Sequence, residues 1–493
     1  MRPHQGFILI FMMALLVPLA LVFWLEKQDS STLLKTRDEV TTRALQLAKE
    51  ALIGYAVSYP EQHPKGTPAR FAWVHGHLPC PDSLESLGFV GDEDPNCGVK
   101  GVTVIGRFPW KTLGLPRLQD GSGNDLWYAV SGSFKANPKM DILNWDSLGQ
   151  FEVIHSDGSV LAGNTPESRP VAIIFSPGAS LFGQNRADHH APQNFLERAA
   201  GVNNAEPNAL PEGITRVVAA GPLSSFNDRL LWISRDDLFA NRIEKRASLE
   251  LRLENLRQKV AGCIAVYGLS NQGNRLPWAA PITLSSVGTG GVDTWQNDRF
   301  NDVSGGLVGR IPLKVRDSFQ STGSTLPSFS GCTSTDNSSC RLFRVDNCPE
   351  LLDVAGYPTP QEGTSFRDSP DGWLEKWKDH LFYAVAEDFK PTSSVAPADR
   401  CAQPTTADRK CLFVSGRGPF AAVILFAGKR QTGQVRSTLA ERNQSANYLE
   451  GDNAIAMTVN SASDSRFGQF ANSSDALTCI RTNLTVDMTC TMP

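Results

Sequence analysis

The sequence predicts an α+β protein: an N-terminal transmembrane helix followed by two tandem units, each a long helix against a small antiparallel sheet. Three observations predict it. Near its start, from Phe7 to Leu25, the chain has nineteen residues that carry no charge. Two later segments place apolar residues at helical rather than alternating spacing. Short apolar runs bounded by Gly and Pro come after each of those segments and read as strands. At 493 residues the chain exceeds one average domain of about 100–150 residues. With 41% hydrophobic and 20% charged residues it belongs with folded rather than disordered proteins. The formal net charge is −4, and no cluster of Lys and Arg with interleaved aromatics is present, so nucleic acid is not an expected partner.

The first element is FILIFMMALLVPLALVFWL, from Phe7 to Leu25. As a helix it would cover about 28 Å, enough to cross a bilayer. It is longer than a signal-peptide core of about 7–15 residues, and Glu26, Lys27, Gln28 and Asp29 come next, where a cleavage site would stand. A retained transmembrane helix over 7–30 is therefore expected. Arg2 and the amino terminus keep that end in the cytoplasm and send the body outward, so the inner membrane is the expected location. Over 31–58, Leu33, Leu34, Val40, Ala44, Leu45, Leu47, Ala48, Leu52 and Tyr55 continue with helical spacing, so the two segments read as one rod.

Downstream, landmarks recur in order. The helix ending at Tyr55 has a counterpart ending at Tyr267, and LPCPD at Leu78 pairs with LPWAAP at Leu276. GRFPWK at Gly106 pairs with GRIPLK at Gly309, and LWYAVS at Leu126 with LFYAVA at Leu381. VAIIF at Val171 pairs with AAVILF at Ala421, GQNR at Gly183 with GQVR at Gly433, and NFLE at Asn194 with NYLE at Asn447. Two units result, 31–233 and 234–493. The offset grows from 203 at Gly106 to 255 at Leu126, so the second unit carries an insertion of 52 residues, rich in Ser, Thr and Gly. The second unit opens with its own helix, capped by Ser234 and Asp237 and continuing through Leu238, Ile243, Leu249, Leu253, Leu256, Val260 and Ile264. The runs Val171–Phe175, Thr215–Ala220, Ala421–Phe426 and Ala454–Val459 are expected to be strands.

Ten cysteines, Cys80, Cys97, Cys263, Cys332, Cys340, Cys348, Cys401, Cys411, Cys479 and Cys490, lie in loop-like sequence without a CxxC pair. That usage points to disulfides in an oxidising compartment rather than to zinc. Proximity suggests Cys80 with Cys97, Cys401 with Cys411 and Cys479 with Cys490, with Cys263 joined to one of the three cysteines of the insertion. Sequence alone leaves the connectivity open.

The body resembles pilin-like proteins of Gram-negative bacteria through ALIGYA (Ala51–Ala56), LPCPD (Leu78–Asp82), GRFPWKTLGLP (Gly106–Pro116), the aromatic segment Leu126–Val130 and ANYLEG (Ala446–Gly451). MRPHQ followed by Gly6 and Phe7 is similar to the leader cut by prepilin peptidases, with residues 1–6 as leader and cleavage between Gly6 and Phe7. The resemblance implies a minor pilin or pseudopilin-like subunit of a type IV pilus or type II secretion-type machine. Its partners would be other pilin-like subunits, the membrane and a prepilin peptidase. Two positions depart from the pattern. Gln5 stands where a basic residue is usual, and Phe11 stands where filament subunits carry a glutamate that pairs with a neighbour's amine in the apolar core. Without that carboxylate a place at the tip or as an accessory is implied; the alternative is a signal-anchored binding module outside any filament.

No enzyme motif is present: GxSxG, a Walker loop, HExxH and GxGxxG are all missing, and Gly178-Ala179-Ser180 continues into Leu181 and Phe182. No catalytic residue, cofactor or metal is expected. His63, His75 and His77, and Asp188 with His189 and His190, read as incidental. Asp82, Asp92, Glu93 and Asp94 lack the order of a calcium loop and read as a solvated acidic loop. Trp110, Trp278, Tyr128 and Tyr383 in the recurring segments read as core.

Overall fold

The structure, a computed structural model, describes residues 5–62, 75–83, 90–140, 143–187, 189, 191–206, 213–221, 223, 225–270, 273–283, 305–312, 315, 373–403, 408–458, 466–468 and 474–490. Helix α1 runs without interruption over Gln5–Gln62. Residues 32–40 are exposed on every side. From Thr41 onward one face packs, through Ala44, Leu45, Ala48, Leu52, Ile53 and Ala56 at the spacing of successive helical turns.

The expected fold class requires correction here. Among the described residues no helix is long and apolar enough to cross a membrane, so the transmembrane pilin-type helix expected over 7–30 is not supported. The physical reason is legible from Thr32 onward. Lys35, Arg37, Asp38 and Glu39 are exposed on the helix before its buried face begins, and from Thr41 to Tyr59 the helix is amphipathic, with one face on the body and the other in water. The chain is a long N-terminal helix followed by a mostly β body. Gly6, Phe7 and Phe11 fall on the backbone of α1, and their side chains lie outside the described residues.

The first sheet has the order β1 (Val104–Arg107), β2 (Trp127–Val130), β5 (Ala172–Ser176), β9 (Arg229–Ile233), all antiparallel. Helix α1 lies on β5 and β9. Beside this sheet, β4 (Val160–Ala162), β3 (Phe151–His155) and β8 (Thr215–Ala219) form a second, in which β3 and β8 run parallel. A short hairpin joins β6 (Arg198–Ala199) to β7 (Val202–Asn203).

The larger sheet orders β10 (Val308–Arg310), β11 (Leu381–Val385), β13 (Arg417–Phe426), β12 (Leu412–Val414) and β14 (Arg466–Phe467). Of the remaining strands, β15 (Ala476–Arg481) pairs with β13, and β16 (Val486–Asp487) pairs with β15. Here β12 and β14 are the parallel pair. Against this sheet packs α3, Ala247–Ser270.

Recurring landmarks occupy the same registers. Gly106 faces Tyr128 as Gly309 faces Tyr383. The Tyr128 hydroxyl donates to the Pro79 carbonyl at 3.2 Å, and the Tyr383 hydroxyl to the Pro277 carbonyl at 3.2 Å. Asp82 and Arg107 exchange two backbone hydrogen bonds, as do Ala280 and Arg310. Glycine is required where these segments cross. A Cβ on Gly106 would stand 2.7 Å from the Asp82 carbonyl oxygen, and one on Gly309 would overlap the Ala280 carbonyl.

Two expected elements differ. Ala454–Val459 is not a strand; Gly451–Thr458 is a helix. Its buried residues, Asn453, Ala456 and Met457, fall at helical spacing. The second unit's opening helix is broken. Ser234 and Asp237 form the expected capping box, but on a single turn, α2 (Arg235–Leu238). The chain then bends so that Leu238, Phe239 and Ile243 all reach the core before α3 starts.

Disulfides join Cys80 to Cys97, Cys401 to Cys411 and Cys479 to Cys490. Cys263 is buried on α3 and disulfide-bonded. Cys332, Cys340 and Cys348, with most of the insertion, lie outside the described residues. The disulfides place the body in an oxidising, extracytoplasmic compartment.

Candidate functional site

Two of the recurring landmarks, GQNR with NFLE and GQVR with NYLE, fold into matching polar frames. In the first, Glu197 Oε2 accepts the backbone N–H groups of Asn227 and Asp228 at 2.9 and 3.0 Å. Asp228 Oδ2 in turn accepts the Glu197 N–H at 2.9 Å and Asn204 Nδ2 at 3.0 Å. The two carboxylates cap each other's backbone. Gln184 Nε2 closes the frame by donating to Glu197 Oε1 at 2.7 Å.

The second frame repeats this geometry. Asp475 Oδ2 accepts the Glu450 N–H and Asn453 Nδ2, both at 3.0 Å, and Glu450 Oε2 accepts the Ser474 N–H at 2.9 Å. Asn204 exchanges two bonds with the Val218 backbone, and Asn453 two with that of Gly468. Burial raises Asp228, and the Glu197 charge adds to it. Burial likewise pushes Asp475 up to about 7.

Each frame carries an arginine on an aromatic ring. Arg186 lies 5.1 Å from the Phe195 centroid and donates to the Gly178 carbonyl at 2.8 Å. Arg436 lies 4.4 Å from that of Tyr448 and donates to the Gly428 carbonyl at 3.1 Å. Behind them Phe195 packs on Trp127, and Tyr448 on Phe382.

The frames part company over their acid. In the alignment of LWYAVS with LFYAVA, Asp125 stands where the second unit has His380. Asp125 pairs with Arg117 at 2.6 and 2.7 Å, within its own unit. The second unit receives its acid from the first. Asp146 Oδ2 lies 2.8 Å from Arg436 Nη1 and 2.9 Å from His380 Nε2, and Oδ1 lies 3.2 Å from Arg430 Nε. His380 Nδ1 meets Asp379 Oδ1 at 2.9 Å. Neighbouring residues fix the loop: Asn144 Nδ2 donates to the Lys376 carbonyl at 2.9 Å, and the Trp145 and Trp377 rings meet edge to face at 4.6 Å.

Burial pulls His380 down, but Asp379 and Asp146 outweigh it and leave the ring raised. Burial pushes Asp146 up, and the His380 hydrogen bond with Arg436 outweighs that, holding it well below the usual carboxylate range. A histidine between carboxylates has the outline of a general base. Here His380 and Arg436 are fully buried, with no face toward solvent where a substrate could stand. The arrangement acts as a joint between the units.

Of the histidines singled out in the sequence, His75 is buried, with Nδ1 2.7 Å from the Val57 carbonyl, and His77 is buried against the Tyr59 ring. His189 stacks on Phe195; His63, Asp188 and His190 lie outside the described residues. The acidic loop is not simply solvated. Asp82 is buried and accepts the Gly91 N–H at 2.7 Å, and Glu93 accepts the Cys80 N–H at 3.1 Å. Asp92 faces outward, 3.7 Å from Lys111. A cleft of about 510 Å³ lies beside Phe420, and its arginines are engaged, Arg481 by Asp487 and Arg417 by the Thr489 carbonyl.

Sequence reasoning found the GQ-x-R and N-x-LE repeats without assigning them chemistry, and it missed Asp146 and His380. Their stretches, NWDS and KDHL, match no motif and do not recur. Compared with protein-family models, curated proteins and solved structures, the chain finds no match.

Proposed function

We propose that this protein is an extracytoplasmic assembly and binding subunit of the minor pilin or pseudopilin kind, serving at a tip or as an accessory. The observation that carries the reading is the projection of α1. Residues 32–40 are exposed, with the body reaching the helix at Arg37, beside Gly121, and at Asp38, 3.2 Å from Arg229, and Leu33, Val40 and Leu47, at 62%, 45% and 45% exposure, recur at heptad spacing on its free face. A helix offering an apolar stripe beyond the domain it belongs to is suited to packing beside other helices. Phe11, which brings no carboxylate, fits an accessory place better than a repeating one.

The test is photo-crosslinking in the native host from a reactive residue placed at Leu33 or Val40, with Arg216 on the body as control. Adducts with other pilin-like subunits from the helix positions, together with a mature N-terminus at Phe7, are expected. Helix adducts no more frequent than those from Arg216, with Met1 intact, would overturn the reading.

A further inference from the structure

We infer that the loop bearing Trp145 and Asp146 is a pH-sensitive latch between the two units, with the His380 ring as its switch. The geometry forces a choice. His380 Nε2 lies 2.9 Å from the Trp145 Nε1–H, a donor, and 2.9 Å from Asp146 Oδ2, an acceptor. One ring nitrogen serves one of them at a time.

An imidazolium donates to Asp146 and Asp379 together and leaves the indole N–H unmatched. A neutral ring accepts from Trp145 and donates to Asp379, and then turns a lone pair toward Asp146. Charge-assisted bonds are about twice as strong as neutral ones, so the imidazolium closes the latch more firmly.

The groups facing the ring are Asp379 on its own strand approach, Asp146 across the seam, and Arg436 and Tyr448 from the second unit. Arg430 stands behind Asp146, and Arg442 acts on Asp379. The directions fix the window. His380 is raised, so its contribution is fully present below the ordinary 6.5 and is lost as pH rises through the folded value. Asp146 and Asp379 are lowered, so theirs is present above the ordinary 3.8 and is lost as pH falls through theirs. The latch is tight between these limits and loosens on the alkaline side when His380 gives up its proton.

Hydrogen exchange on the full-length protein from about pH 5 to about pH 9, across the imidazole range, tests this when corrected for intrinsic exchange and referenced to β5. Amides of residues 143–147 are expected to lose about tenfold in protection, the equivalent of one pKa unit, as the His380 ring signal titrates, while β5 does not. In His380→Gln the step should vanish. Should that variant not fold, Asp379→Asn, which removes one of the two acids, should move the step to lower pH. Seam protection that stays flat through the titration in the unaltered protein, a step persisting in His380→Gln, or one unmoved in Asp379→Asn would overturn the inference.

Discussion

Arg186 and Arg436 sit on equivalent rings in equivalent frames and end in different surroundings. Arg186 remains half-buried at a rim, held by the carbonyls of Pro177, Gly178 and Ala179. Arg436 is sealed beneath a loop that belongs to the other unit. At the aligned position the first unit has Asp125, which pairs with Arg117 rather than with Arg186, and the second has His380, which lies 2.9 Å from Asp146. The two arginines thus differ in what covers them, a rim of carbonyls for Arg186 and the Asp146 loop for Arg436.

The most severe way to break the comparison is Asp146→Ala. It strands Arg436, Arg430 and the His380 ring in a buried seam and should cost about 3–5 kcal/mol, read by chemical denaturation with loss of cooperativity between the units. A stability within error of the parent would show that the seam contributes nothing. Next come the paired glycines. Gly309→Ala should cost about 1–3 kcal/mol, and Gly106→Ala less, because its clearance from the facing carbonyl is wider. Thermal melts of the two variants side by side decide whether the crossings are as alike as they look.

Asp475→Asn sharpens the likeness of the frames. A carboxyl raised from 3.8 to about 7 stabilises the fold when protonated, and that contribution is lost as pH rises through about 7. The variant should gain about 1–2 kcal/mol at pH near 8 and lose the parent's decline between about pH 4 and 7. Denaturant midpoints against pH would show it, and an unchanged slope would refute it. The smallest effect belongs to Asp125→Ala. The Arg117 it pairs with is half-exposed, so removing the acid should cost about 1 kcal/mol or less. A loss rivalling that of Asp146→Ala would erase the distinction between a carboxylate supplied locally and one supplied across the seam.

Much of the frame could be read in advance because its residues are contiguous. Tyr128 and Tyr383, Gly106 and Gly309, and the apolar runs of β5 and β13 announce themselves by type, spacing and order. The capping box at Ser234 was equally legible, since it depends on two residues three apart. The bend after Leu238 was not, because it serves the burial of Phe239 and Ile243 by distant elements. Ala454–Val459 misled for a related reason. A short apolar run reads as a strand until Asn453, Ala456 and Met457 are seen to share one face. The N-terminal span was read from its apolar length and its flanks, whereas α1 is exposed on every side over 32–40 and amphipathic from Thr41 to Tyr59. The seam lay beyond reach, since Asp146 stands 290 residues from Arg436 and, unlike the arginine of GQVR, belongs to no pattern.

The sealed loop also imposes an order of events. The second unit cannot close its polar socket until residues synthesised long before it are already in position, since the acid that fills it lies 234 residues upstream of His380. Closing a contact of such long reach costs more chain entropy than closing a local one. The second half cut away on its own would hold Arg436 without the acid it faces. A chain interrupted between the halves would also divide one continuous core, to which Leu45 and Tyr128 belong along with Val260 and Tyr383.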